Sequence, residues 1–243
     1  MSNKTAIVTG GSRGIGAAIS KRLAADGFNV VVNYAGNAAT ADSLVDQIKM
    51  SGGNAVAVQA DVTSKADVER LFSVAGTLFG GIDVLINNAG IMKLAPLAET
   101  DDEMFDSMVA INLKGTFNTL RQAAVRLRSG GRIINLSSSQ VGLYHPTYAG
   151  YVATKAGVEA ITHILVKELR GRSVTVNAVA PGPIATDLFL QGKTEEVIDR
   201  FVKLSPLERL GQPDDVANVI SLLAGPDGSW INGQIIRVNG GVL

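Results

Sequence analysis

The feature that most restricts the fold of this chain is an alternation. Short runs of β-branched and aliphatic residues recur between longer stretches of helical periodicity. The runs are Ala6–Thr9, Asn29–Asn33, Ala55–Val58, Asp83–Asn87, Arg132–Leu136, Val174–Val179 and Ile235–Val238. Most are continuously apolar, as strands covered on both faces are. Between them, Ile15, Ile19 and Leu23 recur every four residues from Gly14 to Ala25. Leu44, Val45 and Ile48 mark a second helix; Val68, Leu71, Phe72 and Ala75 mark a third. The pattern predicts longer helices over 101–128 and 151–169, and Pro213 opens a last one that reaches Leu223. Strand–helix alternation implies right-handed βαβ units. The prediction is one α/β domain over 1–243, doubly wound, with a parallel sheet of about seven strands and helices on both faces. One segment breaks the rhythm. Residues 183–211 hold Phe189, Leu190, Phe201 and Leu204 among charges and are too long for a simple connection, which predicts a lid over a binding site.

Composition narrows function more than fold. The 22 basic and 22 acidic residues cancel, so a nucleic-acid partner, which needs a basic excess, is not expected. The absence of cysteine excludes disulfides, thiolate metal sites and a cysteine nucleophile. No run of 18 apolar residues occurs and a short polar stretch leads straight into the first strand. The expectation is therefore no signal peptide, no membrane span and a cytoplasmic protein.

The first strand leads into Thr9-Gly10-Gly11-Ser12-Arg13-Gly14-Ile15-Gly16, and a helix follows at once. Gly10 can take the backbone angles of a tight strand-to-helix turn. Gly14 lacks a side chain where a pyrophosphate would approach, and Gly16 lets the helix pack close to the sheet. Unpaired N–H groups and a partial positive charge at the helix N-terminus suit a phosphate. The spacing is GxxxGxG rather than GxGxxG, so the commoner dinucleotide fingerprint fails by letter. The second strand ends in Asn33-Tyr34-Ala35-Gly36-Asn37, where a carboxylate would bind the ribose hydroxyl of NAD and repel a 2′-phosphate. No carboxylate is there, and Arg13 supplies a cation in the adjacent turn. NADP(H) is predicted over NAD(H).

Tyr151-Val152-Ala153-Thr154-Lys155 stands where a helix begins, and residues four apart share a helix face. An ammonium ~4 Å from a phenol, at an effective dielectric of ~20, favours the phenolate by about 4 kcal/mol, roughly three pKa units. The preceding strand ends in Leu136-Ser137-Ser138-Ser139, and ligand crevices of open α/β sheets lie at the carboxyl ends of strands. Hydroxyls, phenol and glycine turn would then open into one crevice.

With these residues on view, the chain resembles the short-chain dehydrogenase/reductase family, and within it the 3-oxoacyl-(acyl carrier protein) reductases. The match runs from Thr9-Gly10 to Val238-Asn239-Gly240-Gly241. It takes in Asn87-Asn88-Ala89-Gly90, Asn112, serine, Tyr151 and Lys155 in order, and Pro181-Gly182-Pro183-Ile184-Ala185-Thr186-Asp187. The resemblance implies a single Rossmann-type domain that reduces a carbonyl reversibly. It makes Tyr151 the general acid, has Lys155 lower the tyrosine pKa and bind the nicotinamide ribose, and has a serine polarise the carbonyl. Asn112 would hold a relay water and kink its helix. Gly10, Ser12, Arg13, Gly14, Ile15, Gly16 and Asn33 would contact the cofactor. Asp61 and Val62 would border its adenine. Asn88, Ala89 and Gly90 would line it, as would Pro181, Gly182, Ile184 and Thr186 around the carboxamide. The family's spacing to the tyrosine selects Ser138, while its spacing to a following glycine, Gly142, selects Ser139; the strand register favours Ser138. A homotetramer is implied, with the two long helices and the last strand at its interfaces.

The substrate could be a 3-oxoacyl thioester or a small ketone or sugar. For an acidic acyl carrier protein, Arg128 and Arg172 are the candidate docking cations. Ser139, His145 and Tyr148 are candidates for touching substrate. His145 and His163 lack metal-ligand spacing, so no metal is expected. Glu195, Glu196 and Asp199 read as a solvated face, and Trp230 as core or subunit interface. The alternative is an NADP-binding regulatory or scaffold module without turnover.

Overall fold

A computed structural model describes residues 3–243. Seven parallel strands form one sheet in the order β3-β2-β1-β4-β5-β6-β7. They are β1 (Thr5–Val8), β2 (Asn29–Tyr34), β3 (Asn54–Gln59), β4 (Ile82–Asn87), β5 (Leu127–Leu136), β6 (Thr175–Pro181) and β7 (Ile235–Val238). Alternate strand residues feed two cores. Ala6, Val8, Val30, Val32, Val84, Ile86 and Ile134 face α1 (Gly14–Ala25), α2 (Ala38–Met50) and α10 (Pro213–Ala224). Ile7, Val31, Leu85, Ile133 and Val176 face α3 (Lys65–Phe79), α5 (Thr116–Arg126) and α7 (Ala149–Glu168). Burial on both faces explains why the strands read as apolar runs. Strand order reverses between β1 and β4, so the loops after these strands part there and open a crevice at their carboxyl ends.

Three expectations change. The predicted helix over 101–128 is interrupted: α4 (Asp102–Met108) passes into a π-helical turn, Val109–Gly115, before α5. The helix ends at Arg126, and Arg128–Gly131 belongs to β5, whose pairing with β4 is irregular between Ile82 and Val84. Trp230 is 97% exposed and is not core. Between Pro181 and Gly211 the chain makes the short α6-independent excursion of α8 (Asp187–Leu190) and α9 (Glu195–Leu204); α6 (Gln140–Leu143) belongs to the loop after β5. Pairing of Ile184 with Gly211 closes the base of that excursion. No helix among the described residues is long and apolar enough to cross a membrane.

Candidate active site

The glycine turn is held by its neighbours. Gly10 and Gly14 take φ of 57° and 53°, the left-handed region glycine enters without strain. A Cβ on Gly16 would fall 2.2 Å from the Gly10 carbonyl, so α1 packs onto the turn itself as well as onto the sheet. Asn88 donates to the carbonyls of Thr9 and Gly10 at 3.0 and 2.9 Å, and the Asn88 and Ala89 N–H groups donate to Thr9 Oγ1. The N-cap residue Arg13 gives α1 no side-chain cap, which leaves first-turn N–H groups free to meet an anion. The Arg13 side chain is exposed. A Cβ on Gly14 would touch Thr186 at 3.5 Å and otherwise face open space.

Asn33, expected to contact the cofactor, turns its amide into the protein. It is buried, its Oδ1 accepts the Gly10 N–H at 3.3 Å, and its Nδ2 donates to the carbonyls of Val58 and Ala60. A buried amide needs partners, and here they are the turn and β3. Asp61 and Val62, just past β3, do not line the cleft described below. The Asp61 carboxylate accepts the Thr63 N–H, and Val62 is buried against Gly115. Ser12 heads a separate groove between α1 and α2, with Lys21, Asn37 and Thr40.

At the end of β5 the two serines diverge. Ser139 Oγ donates to the Ala180 carbonyl at 3.0 Å and accepts from Asn239 Nδ2 at 3.2 Å. Its hydroxyl is thus bonded to β6 and to the residue after β7, although Ser139 also borders the cleft described below. Ser138 Oγ accepts the Gln140 N–H at 3.2 Å, which leaves its proton to be donated into the cleft toward Tyr151. Ser137 donates to Glu159 on α7 at 2.6 Å.

Tyr151 and Lys155 lie on one face of α7, as their spacing requires. The electrostatics differ from the expectation. Burial pushes the Tyr151 phenol up to about 12, although the Ser138 hydroxyl pulls the other way. Lys155 Nζ donates to the Leu136 carbonyl at 2.7 Å and stands 5.8 Å from the centroid of the Tyr151 ring. Burial lowers its own pKa to about 8. An ammonium turned to a carbonyl does not offset desolvation of the phenol, so the Tyr151 hydroxyl is held in its neutral form.

Asn112 sits in the π-helical turn. Its Oδ1 accepts the Ile91 N–H at 2.8 Å, and its Nδ2 donates to the Ile91 carbonyl and to Thr154 Oγ1. One amide proton clamps the loop after β4 and the other ties the turn to α7, while its backbone carbonyl accepts Thr116 Oγ1 at 2.7 Å. The residue as seen is a clamp. The extra residue of the π turn aims its side chain at that loop.

Ser138, Tyr151 and Lys155 share one cleft that opens to solvent. Ile15, Asn88 and Gly90 line one side; Ser138, Tyr151 and Lys155 form the floor. Pro181, Gly182, Ile184 and Thr186 close the edge by β6. Of the substrate candidates, Tyr148 lines the cleft and meets the Tyr151 ring at 6.4 Å. His145 stands behind the wall, against Tyr148 and Phe201. Sequence reasoning missed Met92, Gln140 and Leu143 as wall residues. It also left Phe189 and Phe201 without a partner, although both line the cleft and meet edge to face at 5.1 Å. Their apolar character inside a charged insertion was the available signal.

Comparison with known proteins agrees with this geometry. A family profile described as Enoyl-(Acyl carrier protein) reductase matches residues 10–243. A short-chain type dehydrogenase/reductase of Picea abies is 44% identical, covering 99% of this chain and 93% of that protein. An NADPH-dependent aldehyde reductase-like chloroplastic protein of Arabidopsis thaliana is 42% identical over 100% and 95%. A 3-oxoacyl-(acyl-carrier-protein) reductase of Staphylococcus epidermidis is 42% identical over 99% of each. Among solved structures, a dehydrogenase/reductase of Sinorhizobium meliloti superposes with a TM-score of 0.95 at 37% identity, covering 100% of this chain and 96% of that one. A short-chain dehydrogenase of Burkholderia cenocepacia in complex with NADP gives 0.93 at 35%, covering 98% and 97%.

Proposed function

This chain belongs to the short-chain dehydrogenase/reductase family, and from that premise we propose that it is an NADPH-dependent reductase that converts a carbonyl compound to a secondary alcohol. One observation carries the reading: Tyr151, Ser138 and Lys155 meet in a single cleft whose opposite side ends at an uncapped, glycine-lined helix N-terminus.

The residues present fit a dinucleotide phosphate. Gly14 leaves open space where a side chain would stand, and the free N–H groups of α1 face it. Arg13 and Ser12 would hold the 2′-phosphate, and no carboxylate at the end of β2 opposes it. Asp61 and Val62 would border the adenine beyond Ala60, whose carbonyl Asn33 fixes. Gly90, Pro181, Gly182, Ile184 and Thr186 would flank the nicotinamide end. NADP-bound and NADPH-named relatives support the same choice. When bound, NADPH supplies the hydride that the protein cannot.

The chain's own residues do the rest. Ser138 donates its hydroxyl proton to the carbonyl oxygen while its own oxygen accepts the Gln140 N–H. Tyr151 then gives its phenolic proton to that oxygen as negative charge builds there. A phenol pushed up to about 12 is protonated at working pH, which suits the reducing direction. Lys155, cationic below about pH 8, stabilises the phenolate left behind. Asn112 fixes the loop carrying Gly90 and Ile91, and a relay water would meet the cleft beside it. Residues 183–211 act as the lid, with Phe189 and Phe201 as its inner surface.

The favoured substrate is a free carbonyl compound rather than a carrier-bound thioester. Arg128 and Arg172 stand at the amino-terminal ends of β5 and β6, the sheet edge opposite the cleft. Arg128 pairs with Asp83 at 3.2 Å and Arg172 donates to the carbonyls of Ala124 and Leu127. Near the mouth, α9 exposes Glu195 and Glu196, which an acidic carrier would avoid, while Asp199 pairs with Lys203. A homotetramer is proposed from the half-exposed Phe117 on α5 and Ile164 on α7, with β7 as an open sheet edge. The test is oxidation of NADPH and of NADH with a panel of ketones, aldehydes and 3-oxoacyl thioesters. NADPH-dependent turnover of free carbonyls is expected; NADPH binding without turnover of any of them refutes the reading.

A further inference from the structure

The substrate end of the cleft is walled by Met92, Leu143, Leu188, Phe189 and Phe201, and among them the chain sets one phenol that the reaction does not use, that of Tyr148. Tyr148 is 6% exposed, and its hydroxyl has no hydrogen-bond partner among the described residues. The unpaired side-chain atoms that are sealed from solvent are Thr5 Oγ1, Arg132 Nε and Gln140 Oε1. The Tyr148 oxygen is not one of them, so it keeps an open side, and the cleft is what Tyr148 borders. Burial holds this phenol in its protonated form, which makes it a donor. Burial and then the nearby Tyr148 phenol push the Tyr151 phenol up, so the two hydroxyls stand at one end of the cleft. The Tyr148 ring is fixed between His145 at 6.3 Å and Tyr151 at 6.4 Å. Its carbonyl accepts the Val152 N–H at 2.8 Å where α7 begins, so both phenols hang from one helical turn. The hydroxyl is thus held in place with no acceptor for its proton.

A desolvated O–H donor is nearly always paired, and a ligand that brings the missing acceptor is favoured over one that leaves the donor unpaired. On the reductase reading above, Ser138 and Tyr151 hold the oxygen of the reacting carbonyl, so the acceptor for Tyr148 is a second oxygen close by. Resting on that reading, we propose that Tyr148 determines substrate specificity: its hydroxyl donates to a carbonyl oxygen on the carbon next to the one being reduced. Lys155 is the one charged side chain lining the cleft among the described residues, and it is turned to the Leu136 carbonyl. A neutral compound is therefore favoured over a 2-oxo acid, whose carboxylate would find no cation. The apolar wall takes the substituent. The favoured substrates are neutral vicinal diketones with an apolar ring or chain. One carbonyl takes the hydride of NADPH at its carbon and the Tyr151 proton at its oxygen, giving an α-hydroxy ketone and NADP+. The other carbonyl is unchanged and only accepts the hydrogen bond.

The test uses the full chain with NADPH and three ketones of one skeleton: 1-phenyl-1,2-propanedione and the two monoketones that each lack one of its carbonyls, propiophenone and phenylacetone. The diketone is intrinsically the more reactive, so the readout is the diketone-to-monoketone ratio of kcat/KM, compared between wild type and Tyr148→Phe. The substitution removes one oxygen and keeps the ring. Any effect on Tyr151 acts on all three ketones and cancels in the ratio. The ratio is expected to fall about tenfold in the phenylalanine variant, against either monoketone. Because the hydroxyl has no partner in the protein, the melting temperature is expected to stay at or above that of wild type. An unchanged or larger ratio in Tyr148→Phe, or a wild type that reduces a monoketone and not the diketone, overturns the inference and leaves the reductase reading standing. A melting temperature lower by more than about 3 °C shows the hydroxyl bonded within the protein and overturns it as well. Failure to reduce any of the three, or any ketone of the wider panel, with NADPH bound overturns the reading beneath it.

Discussion

Replacing Lys155 by methionine is expected to stabilise the ligand-free protein while abolishing turnover. Lys155 is 5% exposed, and the Leu136 carbonyl is its hydrogen-bond partner. Burial lowers its pKa from 10.5 to about 8. That difference of about 2.5 units, at about 1.36 kcal/mol each, disfavours the buried ammonium by about 3 kcal/mol. The folded pKa lies below the unfolded one. The penalty is therefore full below pH 8, shrinks as pH rises from 8 toward 10.5, and is gone above it. Methionine fills similar space and removes the charge, at a loss of about 2 kcal/mol because the buried Leu136 carbonyl loses a charged donor. The net gain at pH 7 is about 1 kcal/mol, or about 3 °C in a chain of this size. Urea or thermal unfolding of both proteins, followed by circular dichroism between pH 6 and pH 10, reads the difference. Tyr151 also titrates late, but it is present in both proteins and cancels. A methionine variant less stable than wild type at pH 7, or an advantage that does not shrink toward pH 10, would refute the reasoning.

Three further outcomes follow from the same geometry. Ser138→Ala is expected to lower kcat/KM by about 10²–10³ with the melting temperature almost unchanged. Ser139→Ala leaves the Ala180 carbonyl without its partner, costing about 1–3 kcal/mol of stability, and keeps turnover within a few-fold. Arg13→Ala is expected to raise KM for NADPH about tenfold or more and to leave KM for NADH nearly unmoved, as steady-state kinetics with each nucleotide would show.

The sheet was readable because each strand is buried on both faces, which forces an apolar run whatever the neighbours do. The glycine turn and the Tyr151–Lys155 spacing were readable for a related reason: a left-handed φ at Gly10 and a shared helix face are local requirements. What stayed hidden was set by tertiary contacts. The π turn at Val109–Gly115 depends on Asn112 reaching Ile91, across 21 residues of chain. The commitment of Ser139 depends on Asn239, 100 residues away. A buried chain of amides and hydroxyls links Thr119, Asn87, Asn135 and Thr162 across β4, β5, α5 and α7, and no single segment announces it. The hydrogen bonds of Asn33 to Gly10 and Ala60 are equally invisible in sequence, since they join a strand end to the glycine turn and to the residue after β3.

The central claim is that the Tyr151 phenol delivers the proton. Tyr151→Phe removes one oxygen and leaves the ring, the cleft wall and Lys155 in place. Calorimetry should show NADPH binding within about threefold of wild type, while kcat for a good ketone substrate falls by at least about 10³. A phenylalanine variant that binds NADPH and still reduces the ketone at close to the wild-type rate contradicts the account.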